Sequence, residues 1–87
     1  MWIETAPLQG ISTLVNTDQV ATLSVETEGE GFGVFARMNN GQQIPMAYLN
    51  DNDEAIRLLR IYATLLEATP YEEVLRQASG GGEAQLF

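Results

Sequence analysis

The chain contains no cysteine and no histidine. Lack of cysteine removes disulfides, thiolate nucleophiles and sulfur metal ligands together. Lack of histidine removes the commonest neutral-pH general base and the commonest metal ligand. Catalysis would have to rest on carboxylates, hydroxyls or arginine, so the sequence reads as a protein that is not an enzyme and needs no cofactor or metal. Lysine is missing as well: four Lys+Arg, all arginine, face twelve Asp+Glu, for a formal charge of −8. Phosphate-backbone binding neutralises several phosphates with Lys or Arg, so no direct nucleic-acid binding is expected. No apolar run approaches the roughly 18–20 residues that cross a bilayer. Met1 to Thr5 has neither the basic region nor the apolar run of a signal peptide. A cytoplasmic protein without membrane contact is the expectation.

What remains is 87 residues, enough for one domain. A chain this short buries only about 60–65% of the surface its unfolded form exposes, so association with a copy of itself or a partner would add stability. Trp2 and Ile3 lie in a short extended segment closed by Pro7, which restricts the residue before it. Ile11 to Asn16 is a second β-prone run, ended by the turn formers Asn16-Thr17-Asp18. Over Val20–Thr27, Leu23, Val25 and Thr27 alternate with Ser24 and Glu26, the pattern of a half-buried strand. Beyond the polar turn Glu28-Gly29-Glu30-Gly31, Phe32, Val34, Ala36 and Met38 share one strand face, and Gly33, Phe35 and Arg37 share the other. Asn40-Gly41 then reads as a type I′ hairpin turn, pairing Phe32–Met38 with Gln42–Leu49. Pro45 removes a ladder donor and places the last strand at an edge or a bulge.

At Asn50–Glu54 the period changes from two to 3.6. Asp51 as N-cap with Glu54 three residues on reads as a capping box opening a helix Asn52–Ala68. Asp53, Arg57, Arg60, Thr64 and Glu67 form a narrow polar stripe. The remaining apolar arc covers about 220°, twice what docking on one sheet requires. With Ile56, Leu59 and Ala63 assigned to the sheet, Leu58, Ile61, Leu65 and Tyr62 are left as a spare face and candidate interface. Thr69-Pro70 with Glu72 predicts a second, short helix over Thr69–Ala78 carrying Tyr71, Val74 and Leu75 on one side. Ser79-Gly80-Gly81-Gly82 reads as its end and a linker. The domain is thus expected over residues 1–79, with a Gly-rich linker and tail over 80–87.

Several motifs have plainer readings. The acids Asp51, Asp53 and Glu54 lack the spacing of a calcium loop, and helix capping explains them. Gly29-Glu30-Gly31-Phe32-Gly33 lacks the lysine and the following helix of a phosphate loop. Arg57 and Arg60 could bind an anion, but Asp53 stands four residues before Arg57 in the orientation that favours an ion pair. The aromatics come without the positive groove of a base-stacking platform.

Two resemblances rest on particular residues. Gly80-Gly81-Gly82 followed by Glu83 and the ending Gln85-Leu86-Phe87 resembles the tails of bacterial single-strand DNA-binding proteins, and a shortened sliding-clamp-binding peptide. It implies a partner-binding role for Gln85, Leu86 and Phe87. The alternative is that Leu86 and Phe87 fold back on the spare helix face. Trp2-Ile3-x-Thr5, then Leu14-Val15-Asn16-x-Asp18-x-Val20, a hairpin, and a helix opening Asp53-Glu54-Ala55 resemble small uncharacterised β-meander-plus-helix proteins of bacteria and their phages. That likeness spans residues 2–66 and implies a fold.

The expected architecture is α+β: an antiparallel meander of four or five strands, curling towards a half-barrel of pleckstrin-homology or Sm-like type, backed by one long and one short helix. The expected function is a non-enzymatic interaction module, homo-oligomeric through the spare helix face. An acidic inhibitor or decoy of a nucleic-acid-binding protein, of the kind phages encode, is the alternative.

Overall fold

A computed structural model describes residues 1–80. In chain order its elements are β1 (Trp2–Glu4), β2 (Leu14–Asn16), a 3-10 turn (Thr17–Gln19), β3 (Val20–Glu28), β4 (Gly31–Met38), β5 (Gln43–Leu49), α1 (Asn52–Leu65) and α2 (Tyr71–Gly80). The class is α+β, but the strands do not make one sheet. β3, β4 and β5 form a three-stranded antiparallel meander, and β1 pairs with β2 in a separate ribbon, leaving both sheets open with no closed barrel. Pro45 supplies the reason. It has no N–H, and a bulge interrupts β5 where Val34 faces Ala47 and Phe35 faces Pro45. Only one backbone bond joins the ribbon's continuation to that edge, from the Ala6 N–H to the Met46 carbonyl at 2.8 Å.

The turns carry a second departure from expectation. Asn40-Gly41 is not a type I′ turn: only Gly41 has a positive φ, and the Gly41 N–H reaches the Met38 carbonyl while the Met38 N–H reaches that of Gln42. This is a three-residue loop, a type I turn closed by a left-handed glycine. Asn40 prefers to cap it, its Oδ1 accepting the Gln42 N–H at 2.9 Å. The I′ geometry occurs instead at Gln9-Gly10, where both φ are positive and Leu8 and Ile11 exchange both backbone bonds. Thr5, buried at the base of this excursion, accepts the Thr13 N–H and donates to the Ala6 carbonyl.

The core lies between the meander and α1. Val34, Ala36 and Met46 from the sheet meet Val15 from the ribbon and Ala55 and Tyr62 from the helix, with Leu23, Val25, Phe32 and Met38 packed around them. The alternation read from the sequence therefore assigns the strand faces correctly. On the opposite face Phe35 packs edge-on against Tyr48, ring centroids 6.0 Å apart and 73° between planes.

Asp51 caps α1, its side chain accepting the Asp53 N–H at 3.3 Å, one position short of the Glu54 N–H that a capping box engages. The helix stops at Leu65 and not at Ala68. The Ala68 N–H bonds the Ala63 carbonyl and the Glu67 N–H that of Thr64, the Schellman pattern, with Glu67 at φ 58. A side chain in the left-handed region is strained. Glu67→Gly should therefore stabilise the protein by about 0.5–1 kcal/mol, raising the melting temperature by several degrees. Thermal denaturation followed by circular dichroism checks it; an unchanged or lower midpoint would contradict this account of the helix end.

Candidate functional site: exposed apolar faces and an open strand edge

The rotation of α1 decides which apolar residues are left over. Ala55, Leu58, Leu59 and Tyr62, at the spacing of one helical face, turn to the sheet, and Ala55 is fully buried. Two members of the expected interface thus belong to the core. Tyr62 is only 9% exposed, and Leu58 packs against the buried cluster. Burial also pushes the Tyr62 phenol above its ordinary pKa. Ile61 and Leu65 remain, one turn apart and 52% and 49% exposed. Ile56, expected against the sheet, is exposed too. An arc of about 220° leaves a helix free to rotate by tens of degrees before polar groups are buried, so sequence periodicity could not select this phase. The small Ala55, which lets the helix lie close to the sheet, was the available signal.

α2 presents a further apolar face, with Tyr71, Val74 and Leu75 all exposed. It starts at Tyr71, later than expected, with the Pro70 carbonyl accepting the Glu73 and Val74 N–H groups. Glu72 does not complete a capping box. It receives two hydrogen bonds from the Arg60 guanidinium at 2.8 and 3.1 Å, tying α2 to α1. This pairing holds the Glu72 carboxyl below its usual range and raises Arg60. Arg60 is thereby committed, and Arg76 pairs with Glu73. The predicted Asp53–Arg57 pair is not among the ion pairs of the described residues. Ser79 and Gly80 extend α2 where a linker was expected.

Among the hollows beside the meander, a cleft and a groove are the more extensive. A cleft of about 620 Å³ lies at the β3–β4 turn, lined by Glu28, Glu30, Phe32, Tyr48 and Asn50 among others. A groove of about 520 Å³ runs between the start of β3 and the second half of α1, floored by Val20, Leu23, Leu59, Ala63 and Leu66 and bordered by Asp18. The strand beside it, β3, is an outer strand of the meander. Neither the groove nor the open edge was read from the sequence.

Comparison with protein-family models, with curated proteins and with solved structures finds no match. The surface chemistry must therefore carry the functional reading. Among the described residues no group of three or more acidic side chains is placed to hold a metal ion, and Asp51 is occupied as a cap. No helix among them is long and apolar enough to cross a membrane. Gln85, Leu86 and Phe87, the candidate partner-binding tail, lie outside the described residues.

Proposed function

We propose that this chain is a non-enzymatic interaction module that associates with a second copy through the exposed side of α1. The observation that carries the reading is the pair Ile61 and Leu65, about half exposed and one turn apart on a helix whose other face is already buried. Within it, the meander is the scaffold, as the sheet of a half-barrel of pleckstrin-homology or Sm-like type would be. Each copy carries a charge of −8, so added salt should strengthen this contact by screening the repulsion.

Light scattering on the eluting protein tests the proposal. The chain should be dimeric at micromolar concentration, and Ile61→Glu with Leu65→Glu should weaken association by about a hundredfold, because four half-exposed side chains are lost from a symmetric contact. The melting temperature of the variant should fall only by what dimerisation adds and should not depend on concentration, since neither residue belongs to the core. A wild-type monomer throughout this range would sink the idea.

A second reading has an observation of its own. Glu26, Glu28 and Glu30 stand exposed around the β3–β4 turn, and none is in an ion pair among the described residues. An acidic tip of that kind suits an inhibitor or decoy directed at a basic, nucleic-acid-binding surface.

A further inference from the structure

We propose that the outer edge of β3, with the groove beside it, takes up an extended basic segment of a partner protein as a fourth strand of the meander. The proposal rests on reading the chain as an interaction module, but not on its self-association.

The backbone is the first part of the argument. The turn Gly29-Glu30 closes on the pair Glu28 and Gly31, with a positive φ at Gly29 alone of the two central residues, as in a type II′ turn. Such a two-residue turn closes on a hydrogen-bonded pair. Antiparallel alternation then directs the N–H and C=O groups of Ser24 and Glu26 to β4, and those of Leu23, Val25 and Thr27 outward. Among the described residues no backbone bond is made to Leu23, Val25 or Thr27 from that side. The meander's other edge is obstructed, because β5 carries Pro45 and a bulge and already receives the Ala6 N–H. Exposed strand edges are ordinarily blunted by proline, lysine or a covering segment. Among the described residues Leu23–Thr27 of β3 has no proline, lysine or covering segment; its one charge is Glu26, and the register shift of the strand lies before it, between Val20 and Thr22.

The groove supplies the second part. It continues from this edge towards Thr17, with an apolar floor of Val20, Leu23, Leu59, Ala63 and Leu66. A strand added to β3 would place alternate side chains over that floor and the others towards solvent, the arrangement by which strand addition combines backbone affinity with side-chain selection. Its volume of about 520 Å³ falls within the range of about 300–1,000 Å³ typical of ligand sites.

Charge selects the occupant. Asp18, 3.9 Å from the Met1 ammonium, borders the groove at one end, and Glu26 and Glu28 lie on the strand at the other, while no arginine lines the groove. Arg37, across from Thr22, directs its guanidinium to the Gly41 carbonyl at 3.3 Å, in the far hairpin. Glu26 turns its carboxylate over the sheet, where it accepts hydrogen bonds from Ser24 Oγ at 2.8 Å and Gln43 Nε2 at 3.4 Å, so an entering strand with lysine or arginine at its outward positions would find its cross-strand partner in Glu28, with Glu26 adding to the negative field. A second copy would bring the same acids and a charge of −8, and residues 81–87 of this chain offer Glu83 and no cation.

The test uses the full chain and a synthetic peptide of about eight residues, the length of a strand, alternating lysine with valine or leucine. Amide chemical-shift changes on titration should centre on Leu23–Thr27 and Ala63. N-methylation of alternate peptide amides on one edge should weaken binding at least about tenfold, and on the other edge hardly at all. Thr27→Pro should weaken binding at least about tenfold with little change in melting temperature, because proline is tolerated where an edge N–H faces outward. Should that variant fail to fold, Ala63→Arg, which fills and charges the groove from a helical position, must show the loss. Added salt should weaken this binding, opposite to its effect on self-association. Equal binding of a scrambled peptide and both N-methylated forms would mean bare charge attraction and would overturn the proposal. Slow hydrogen exchange of the Leu23, Val25 and Thr27 amides in the free chain would overturn it too. In a monomer that would assign the edge to the chain's own residues 81–87, and in a dimer to a second copy.

Discussion

Met46→Ala should destabilise the protein by about 2–5 kcal/mol, the usual cost of truncating a fully buried methionine. Met46 has no exposed surface and is among the largest fully buried side chains. It sits at the bulge in β5, between the positions facing Val34 and Phe35, so its side chain fills a gap that a regular ladder would not contain. The flexible thioether suits such an irregular space. Its carbonyl also accepts the bond from Ala6 that ties the ribbon to the meander. Stability in a domain of this size is about 5–10 kcal/mol, so the loss would remove a large fraction of it and lower the melting temperature by more than about ten degrees. Met46→Leu, nearly equal in volume, should cost less than about 1.5 kcal/mol. Urea denaturation of both variants provides the measurement. Equal losses would show that volume at this site is not what matters.

Gly33→Ala should cost about 1–3 kcal/mol through overpacking on the other sheet face. A Cβ on Gly33 would collide with the Phe35 ring, whose Cζ would lie 2.7 Å away and whose Cε2 closer still, and would stand 3.3 Å from Tyr48. Phe35 is only 8% exposed, so its ring cannot swing aside without losing burial and its edge-on contact with Tyr48. The glycine is thus required by a close approach, and its own φ is unremarkable. A double-mutant cycle isolates the cause: in a Phe35→Leu background the same Gly33→Ala change should cost markedly less. Additive losses would place the strain elsewhere.

Both predictions concern features that the sequence registered only in part. Pro45 signalled an edge or bulge, but not that Met46 would become the buried residue of the bulge. Gly33 and Phe35 were assigned to one face without any sign that the ring would cover the glycine. The candidate interface shows the same limit. Ile61 and Leu65 are where an unpartnered helix face was expected, whereas Leu58 and Tyr62 pack into the core.

The sequence by itself determined β3, β4 and β5, their pairing order, the faces of β4 and the cap at Asp51. These depend on interactions within a few residues: period-two alternation, glycine-containing turns and a carboxylate beside free N–H groups. Tertiary structure decided the rotation of α1, the division of the strands into two sheets, the end of α1 at a strained Glu67 and the open edge of β3. Each of these turns on which distant segment reaches a surface first. An apolar arc wider than one sheet can cover, and a strand edge whose polar groups fit any extended chain, each leave several partners locally acceptable, so only packing of the whole chain chooses among them.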